Sequence, residues 1–271
     1  MTSRRDITPC LWFDFNAEEA VAHYLAIFPD GRIESISRYG DGPHAGAVMT
    51  ILFSLRGKRF LALNGGPHFH FSPAISLMVK AGAKAEVDAL AERLAEGGKT
   101  SRGGRLTDRF GVSWQVLPGE PDGVTPCLWF DFNAEEAVAH YLAIFGDARI
   151  EHISRYGAGE HAGAAMTVTF SLRGERFIAL NGGPHYKFTP AISLMVDCET
   201  QNEIDAYWER LSEGGSKGRC GWLTDVFGLS WQIVPSALDE IMRFGDVDRQ
   251  RRVMKAVMTM DKLDIAEIQR A

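Results

Sequence analysis

The sequence lacks most features that mark membrane, secreted or nucleic-acid-binding proteins. Its four cysteines form no C-x-x-C pair, and its formal net charge is −6 with no block of lysine and arginine. No apolar run approaches the roughly 18 residues of a membrane-spanning helix. Residues 1–6 are polar and are followed by no apolar run, so no signal peptide is expected. We therefore predict a cytoplasmic protein with reduced thiols that binds neither membrane nor nucleic acid.

The sequence does contain a long internal repeat. The stretch Thr8–Phe28 recurs unchanged at Thr125–Phe145, and the offset of 117 residues holds without a gap as far as Pro118 and Pro235, with 79 identities in 111 aligned positions. At 45% hydrophobic and 24% charged residues the composition is that of a globular protein. We predict a first domain at 1–118, a linker at 119–124, a second domain at 125–235 and a helical tail at 236–271.

The linker limits how the two copies can be arranged. Six extended residues reach only about 20 Å, so the copies are expected to pack side by side. A gap-free repeat on a short linker predicts a pseudo-twofold pair, an intramolecular pseudo-dimer that mimics a homodimer of a one-copy relative. A further homodimer of whole chains stays open.

Hydrophobic periodicity predicts the same order of elements in each copy, with helices and strands told apart by their periods of 3.6 and 2 residues. In the first copy we expect strands at 10–15, 32–39, 47–55, 59–63, 74–79 and 112–117, helices at 17–28 and 84–96, and a weak strand or loop at 99–106. Asn16 is expected to cap the first helix. In the tail, Ser236, Asp246 and Asp264 are expected to begin three helices. The tail methionines suggest core packing or, as an alternative, a partner surface.

Several motifs give the repeat a family resemblance. A-E-E-A-V-A-H-Y-L-A-I-F, L-N-G-G-P-H, P-A-I-S-L-M-V and D-x-F-G-x-S-W-Q occur in both copies. They resemble the PhnB-like branch of the vicinal-oxygen-chelate superfamily, which includes glyoxalase I, extradiol dioxygenases and bleomycin-resistance proteins. Members of this branch often carry the label demethylubiquinone methyltransferase. The branch motif C-G-W-L-T-D survives only at residues 220–225, since the first copy has Gly103-Gly104-Arg105-Leu106 at the matching positions.

The resemblance implies an α+β fold. It would consist of paired βαβββ modules that form cup-shaped, mainly antiparallel sheets, in two tandem copies followed by the helical tail, with a cavity inside each cup. It does not imply one reaction, because the superfamily hosts many.

The resemblance also implies where metal ligands would lie, and the residues there are poor ligands. The positions fall at Thr8 or Pro9, Pro73 or Ala74 and Gln115 in the first copy, with the same residue types at 125 or 126, 190 or 191 and 232 in the second. An amide oxygen is a weak ligand for a transition metal. We therefore predict no metal and no cofactor. The glycine-rich stretch 40–46 leads into a strand, and 102–104 follows no buried strand, so S-adenosylmethionine-dependent methyl transfer is disfavoured.

Strand alternation predicts which side chains face each cavity. If Gln115 faces inward, then Ser113 shares its face, as do Ser76 and Met78 on a neighbouring strand. Their copies are Ser193, Met195, Ser230 and Gln232. Asn64 and Asn181 follow a hairpin and are expected at the rim or in a turn, and His68 and His185 are expected at the rim or in a loop.

This uncharged, mildly polar lining suits a small organic molecule held by a few hydrogen bonds. We therefore predict a metal-independent binding protein of the glyoxalase/bleomycin-resistance type. The alternative is an enzyme of isomerase, lyase or dioxygenase type acting on a small organic substrate, and a metal enzyme with other ligands is a third hypothesis. No obvious acid–base pair lies on the predicted inward face, which favours binding over catalysis.

Overall fold

A computed structural model describes residues 7–101 and 104–271. The predictions for residues 1–6 and for the glycine-rich pair 102–103 lie outside this range. The first copy contains β1 (Ile7–Phe13), α1 (Ala17–Ile27), β2 (Arg32–Arg38), β3 (Val48–Leu55), β4 (Lys58–Asn64), β5 (Ile75–Ala81), α2 (Lys84–Ala95), β6 (Lys99–Thr100), β7 (Arg105–Thr107) and β8 (Ser113–Pro118).

The second copy repeats this order. It contains β9 (Val124–Phe130), α3 (Ala134–Ile144), β10 (Arg149–Arg155), β11 (Ala165–Leu172), β12 (Glu175–Asn181), β13 (Ile192–Cys198), α4 (Gln201–Ser212), β14 (Ser216–Lys217), β15 (Trp222–Thr224) and β16 (Ser230–Pro235). The tail forms α5 (Ser236–Phe244), α6 (Val247–Val257) and α7 (Ile265–Arg270). No helix in the described ranges is both long enough and apolar enough to span a membrane.

The strands form two eight-stranded sheets, and each sheet draws strands from both copies. The first has the order β14-β15-β16-β13-β1-β4-β3-β2, and the second has the order β10-β11-β12-β9-β5-β8-β7-β6. Each therefore joins the first half of one copy to the second half of the other. The joint is antiparallel in both sheets, with Thr8 opposite Met195 and Met78 opposite Thr125.

We call the concave side of the first sheet the first cup and that of the second sheet the second cup. Within the first sheet, β1 pairs with β4 and β13 with β16 in parallel, and the other neighbouring strands are antiparallel. The predicted α+β class with mainly antiparallel pairing is thus confirmed. The linker joins β8 to β9 within one sheet, with only β5 between them.

The helices of each copy pack on the other side of the sheets and tie the exchanged halves together. Tyr24 of α1 is fully buried, and its hydroxyl donates to Asp108 Oδ2 at 2.7 Å. Asp108 precedes β8, which belongs to the second sheet, whereas α1 follows β1 of the first. Trp114 also donates to Asp108 Oδ2, at 2.9 Å, and its ring lies 5.4 Å from that of Tyr24. The core side chains of each copy therefore stay in contact although its strands belong to different sheets, and the two copies share one hydrophobic cluster.

The helix starts differ from prediction at two of the expected caps. Asn16 precedes α1, but its side chain accepts no capping hydrogen bond. Asn64 of β4 instead accepts from the Ala17 backbone N–H at 2.9 Å, because the parallel pairing of β1 with β4 brings it to the start of the helix. Ser236 begins α5 without capping it and donates to Asp197 Oδ1 at 2.7 Å.

The tail helices form a small core of their own. Asp246 and Asp264 accept from backbone N–H groups at the starts of α6 and α7, as predicted. Six buried apolar side chains make the core: Ile241, Val253, Val257, Met260, Leu263 and Ile268. Cys220 on the rim of the first cup packs against it. The tail is thus a compact cover placed on one cup.

Candidate functional site

A cavity of about 690 Å³ lies between the first cup and the tail. Its walls come from both halves of the first sheet and from α5 and α6, so both copies contribute to one chamber. Apolar side chains predominate on these walls: Leu52, Leu61, Leu63, Met195, Leu223, Val234, Leu238, Val257 and Leu263. A partly enclosed apolar volume of this size is typical of a small-molecule site.

The floor is built from β1, β13 and β16. Adjacent registers place Thr8 opposite Met195 and Met195 beside Gln232. Gln232 donates through Nε2 to Ser193 Oγ at 2.8 Å, which fixes its amide in the floor. Ser230 lines the same surface. Burial raises the pKa of the Cys10 thiol, below this pair, to about 11, so it stays neutral and packs as a small apolar group.

Aromatic rings make one wall. The rings of Trp12 and Phe69 meet edge to face at 4.9 Å, and those of Trp12 and Trp222 at 5.9 Å. Trp12 is held by a hydrogen bond from Nε1 to the carbonyl oxygen of Gly66 at 2.8 Å. A Cβ at Gly65 would lie 2.2 Å from this indole, so only glycine allows the close approach. The L-N-G-G motif therefore positions an aromatic wall.

Methionines of the tail make the roof. Met242, Met254 and Met258 all line the cavity, a role that neither sequence interpretation of them gave. The Cys220 thiol lies 3.7 Å from Met258 Sδ. Flexible thioethers adapt well to ligands of irregular shape. The roof thus combines a soft apolar surface with a fixed aromatic wall.

Backbone hydrogen bonds attach the roof to one side of the cup. The N–H groups of Cys220 and Gly221 donate to the carbonyl oxygens of Met260 and Asp261 at 2.8 and 2.7 Å. Cys220 adopts the left-handed backbone conformation, with φ of 56°, at this junction. Across the cup, Arg251 Nε donates to the Gly40 carbonyl at 3.2 Å.

The structure brings together part of the predicted pocket set. Met195, Ser230 and Gln232 lie on the cavity wall, and Ser193 supports Gln232 from the same face. The equivalent residues of the second cup keep this arrangement, since Gln115 donates to Ser76 at 2.6 Å, with Met78 beside Gln115 and Ser76 beside Ser113. The tail does not cover this second set.

Four other predicted residues lie away from the cavity. Asn64 is buried, and its amide also donates to the Val48 carbonyl at 3.0 Å. Asn181 accepts from Ala134 N–H and donates to the Ala165 carbonyl, both at 2.9 Å. They neither reach the rim nor merely form a turn, because their side chains bridge a strand to a helix start. His68 and His185 are exposed in loops and do not line the cavity.

Sequence reasoning missed the role of the aspartate in the D-x-F-G motif. Asp225 accepts from Tyr141, from Trp231 and from the N–H groups of Phe227 and Leu229, at 2.8 to 3.0 Å. Burial raises the pKa of Asp225, and these four donors act in the opposite direction. The motif is therefore a structural joint in the core.

The two cups differ at the position of Trp222. In the second cup the equivalent residue is Arg105, whose guanidinium lies 4.9 Å from the centre of the Trp129 ring. Lys80 replaces Asp197 at another inner position and pairs with Asp122 at 2.6 Å. The retained C-G-W motif was the sequence signal for this difference, but only the exchange of strands shows which cup receives it.

The residues at the expected metal position do not fit a catalytic metal. In the first cup they are the Thr8 hydroxyl and the Gln232 amide, with the Met195 thioether beside them. Catalytic metals in proteins are held by imidazole, thiolate or carboxylate groups. Across residues 7–101 and 104–271, no group of three or more His, Cys, Asp and Glu side chains is arranged to hold a metal.

A Gly-rich nucleotide cradle does not fit either. Such a cradle lies at a turn that leads from a strand into a helix. The stretch 40–46 connects β2 to β3, and Gly104 precedes β7, so each leads into a strand.

Comparison with known proteins shows the family. The family model described as 3-demethylubiquinone-9 3-methyltransferase matches residues 5–117 and again 122–234. No functionally curated protein matches the chain. The chain therefore belongs to this family and contains two tandem copies of it.

Comparison with solved structures shows the fold. A PhnB protein from Bacillus cereus is 34% identical over 41% of this chain and 98% of its own, with a TM-score of 0.39. A protein from Staphylococcus aureus is 27% identical over 40% and 92%, with a TM-score of 0.20. A glyoxalase I mutant from Zea mays is 11% identical over 86% and 94%, with a TM-score of 0.56. This last likeness, across both copies, shows the glyoxalase-like fold.

Proposed function

We propose that the protein binds one small, largely apolar organic molecule in the cavity of the first cup, in the cytoplasm and without a metal. The observation that carries this proposal is the partly enclosed volume of about 690 Å³ between the cup and the tail. Its apolar walls provide the driving force for binding, and Gln232 and Ser230 provide a few polar contacts.

The cavity wall favours binding over turnover. General acid–base catalysis needs a titratable pair within hydrogen-bond reach of the substrate. The carboxyl groups on the wall, Asp197 and Asp239, are bonded to Ser236 and Arg243. The buried carboxyl groups of Asp108 and Asp225, which have raised pKa values, lie in the helix-side core and are held by Tyr24 and Tyr141. They are therefore separated from the chamber by the sheets.

Methyl transfer, which the family description names, is not the activity we propose for this chain. The glycine-rich stretches lead into strands, and the donor set at the superfamily metal position is weak. Sequestration of a small molecule requires only the cavity, the aromatic wall and the tail. It needs neither a nucleotide-binding glycine-rich turn nor a metal.

A thermal-shift screen of small organic compounds, followed by turnover assays of every hit, tests the proposal. Ligands should raise the melting temperature, because they bind only the folded chain, and should be recovered unchanged. Recovery of a converted product would support an enzyme instead.

The repeat offers a matched control for location. Met195→Trp should fill the first cup and abolish the shifts, whereas Met78→Trp alters the equivalent position of the second cup and should preserve them. Melting-temperature shifts that survive Met195→Trp but are lost in Met78→Trp would place the site in the second cup and contradict the proposal.

A further inference from the structure

We propose that the first cup selects uncharged aromatic ligands and that Trp222 is the residue that sets this preference. The inference rests on the proposed function and adds the chemical class of the ligand. Three independent features support it: the aromatic wall, the bonds that protein groups make to the described charged side chains on the chamber's surface, and the replacement of Trp222 by arginine in the second cup.

The aromatic wall presents the edges and faces of three rings to one side of the chamber. Trp222 on β15 and Phe69 after β4 flank Trp12 on β1. The Trp12 indole N–H is already used by Gly66, so its ring offers mainly apolar surface. Offset or edge-to-face packing adds about 0.5–1.5 kcal/mol per aromatic pair beyond area burial. A flat aromatic molecule therefore gains more here than an aliphatic one.

The two arginines on the wall already bond to protein groups, Arg59 to a carboxylate and Arg219 to a backbone carbonyl. Arg59 contacts Glu34 through Nε at 2.9 Å and through Nη2 at 2.8 Å. Arg219 donates from Nη2 to the carbonyl oxygen of Met258 at 2.6 Å, as part of the attachment of the roof. An anion that took either guanidinium would have to break a charged pair or loosen the roof.

The carboxylates on the wall are also held by the protein. Asp197 accepts from Ser236 at 2.7 Å, and Asp239 lies 3.4 Å from Arg243. They add negative charge to the wall and would repel an anion. A charged ligand would thus lose its hydration and would have to compete with protein groups for any counter-ion on the wall, which is costly in an apolar cavity. The chamber therefore disfavours charged ligands of either sign.

The second cup shows what one substitution changes. There Arg105 lies over Trp129, and among the described residues its guanidinium has no carboxylate partner. A cation at this position would attract anions, whereas Trp222 provides only a ring and one indole N–H. Position 222 is therefore the point at which a cup of this design can switch ligand charge.

A pair of fluorescent probes with the same skeleton tests the proposal. N-phenyl-1-naphthylamine is neutral, and 8-anilinonaphthalene-1-sulfonate is the same molecule with a sulfonate. The full chain should bind the neutral probe at least about tenfold more tightly than the anion, a difference of about 1.4 kcal/mol. Binding to the first cup is the part of the signal that Met195→Trp removes.

Trp222→Arg should weaken the neutral probe and strengthen the sulfonate, so that the ratio of affinities falls at least tenfold. Trp222→Leu should weaken both probes and leave their ratio unchanged, which keeps the test open if the arginine variant fails to fold. Arg105→Trp, the matched change in the second cup, should leave first-cup binding unaltered. Circular dichroism and melting temperature establish folding of each variant.

Equal affinities for the two probes in the unmodified chain would overturn charge selection while leaving the proposed binding function intact. An unchanged ratio in folded Trp222→Arg would overturn the role of Trp222. If neither probe gives a signal that Met195→Trp removes, and the compound screen also yields no ligand, both this inference and the function on which it rests fail.

Discussion

The two cups share a scaffold and differ at their openings. Both contain the serine–glutamine pair on the floor, the indole of Trp12 or Trp129 on the wall and the buried aspartate behind the sheet. Within residues 7–101 and 104–271, only the first has Trp222, Cys220 and the methionine roof. The comparison teaches that the repeat preserves residues that hold the fold, whereas the residues that close the chamber occur in one copy only.

Topology explains why the roof lies on the first cup. The tail leaves β16, and β16 belongs to the sheet that contains β1 to β4. Because the halves are exchanged, a tail that follows the second copy covers a cup whose other half comes from the first copy. One chamber therefore depends on both copies, which supports our proposal that the pair replaces a homodimer of a one-copy relative.

Removing the tail should remove the main difference between the two cups and should produce the largest change in ligand affinity. Deletion of residues 236–271 makes the first cup as open as the second and exposes Val234 on its inner side. We expect affinity for N-phenyl-1-naphthylamine to fall by about a hundredfold or more, since the roof supplies much of the buried apolar contact. Fluorescence titration measures it, and Phe244→Ser, at an exposed tail position, is the control. Undiminished affinity in the folded deletion variant would show that the roof is dispensable.

Replacing the buried aspartate should lower the free energy of unfolding by a similar amount in either copy. In either orientation, Asp108→Asn and Asp225→Asn each place an amide NH₂ against at least one N–H group, which can only donate. We expect a loss of about 2–4 kcal/mol in the free energy of unfolding for either variant. Urea denaturation measures the loss. A large effect in one copy and none in the other would contradict a shared scaffold.

Removing the helix-start acceptor should have a smaller effect. Asn64→Ala and Asn181→Ala leave the Ala17 and Ala134 N–H groups without their acceptors, at a cost of about 1–2 kcal/mol each. Asn16→Ala is the control and should cost less, because its side chain makes no capping hydrogen bond. If Asn16→Ala proves the more harmful, the assignment of these roles is wrong.

Metal ions should have the smallest effect. Zinc, nickel, manganese or iron should be found well below one equivalent per copy in protein purified without chelator, and adding them should leave probe binding unchanged. Elemental analysis and titration measure this. Stoichiometric metal held by the cup wall would restore the hypothesis of a metal enzyme.

Local sequence patterns predicted the elements well, because hydrophobic periodicity depends on which face is buried. The helix over 84–96 ends within one residue of prediction, and the first tail helix begins at Ser236 as expected. Strand alternation also placed Met195 and Gln232 on one face, where they line the cavity; their part in binding stays a prediction. The short strands β6 and β7 were less clear, since glycines interrupt their pattern.

Sequence could not predict the exchange of strands between copies. The strands β5 and β13 share I-S-L-M-V, so either copy presents the same side chains to β1 and the alternation is satisfied in both arrangements. The role of Asn64 was missed for a similar reason, because its contact with Ala17 arises across a parallel strand pair rather than along the chain.

The stoichiometry of binding tests the central claim most directly. Calorimetric or fluorescence titration of the full chain with N-phenyl-1-naphthylamine should give one site per chain, because only the first cup is closed by the tail. Two equivalent sites per chain, or a single site that Met195→Trp leaves intact, would contradict this account.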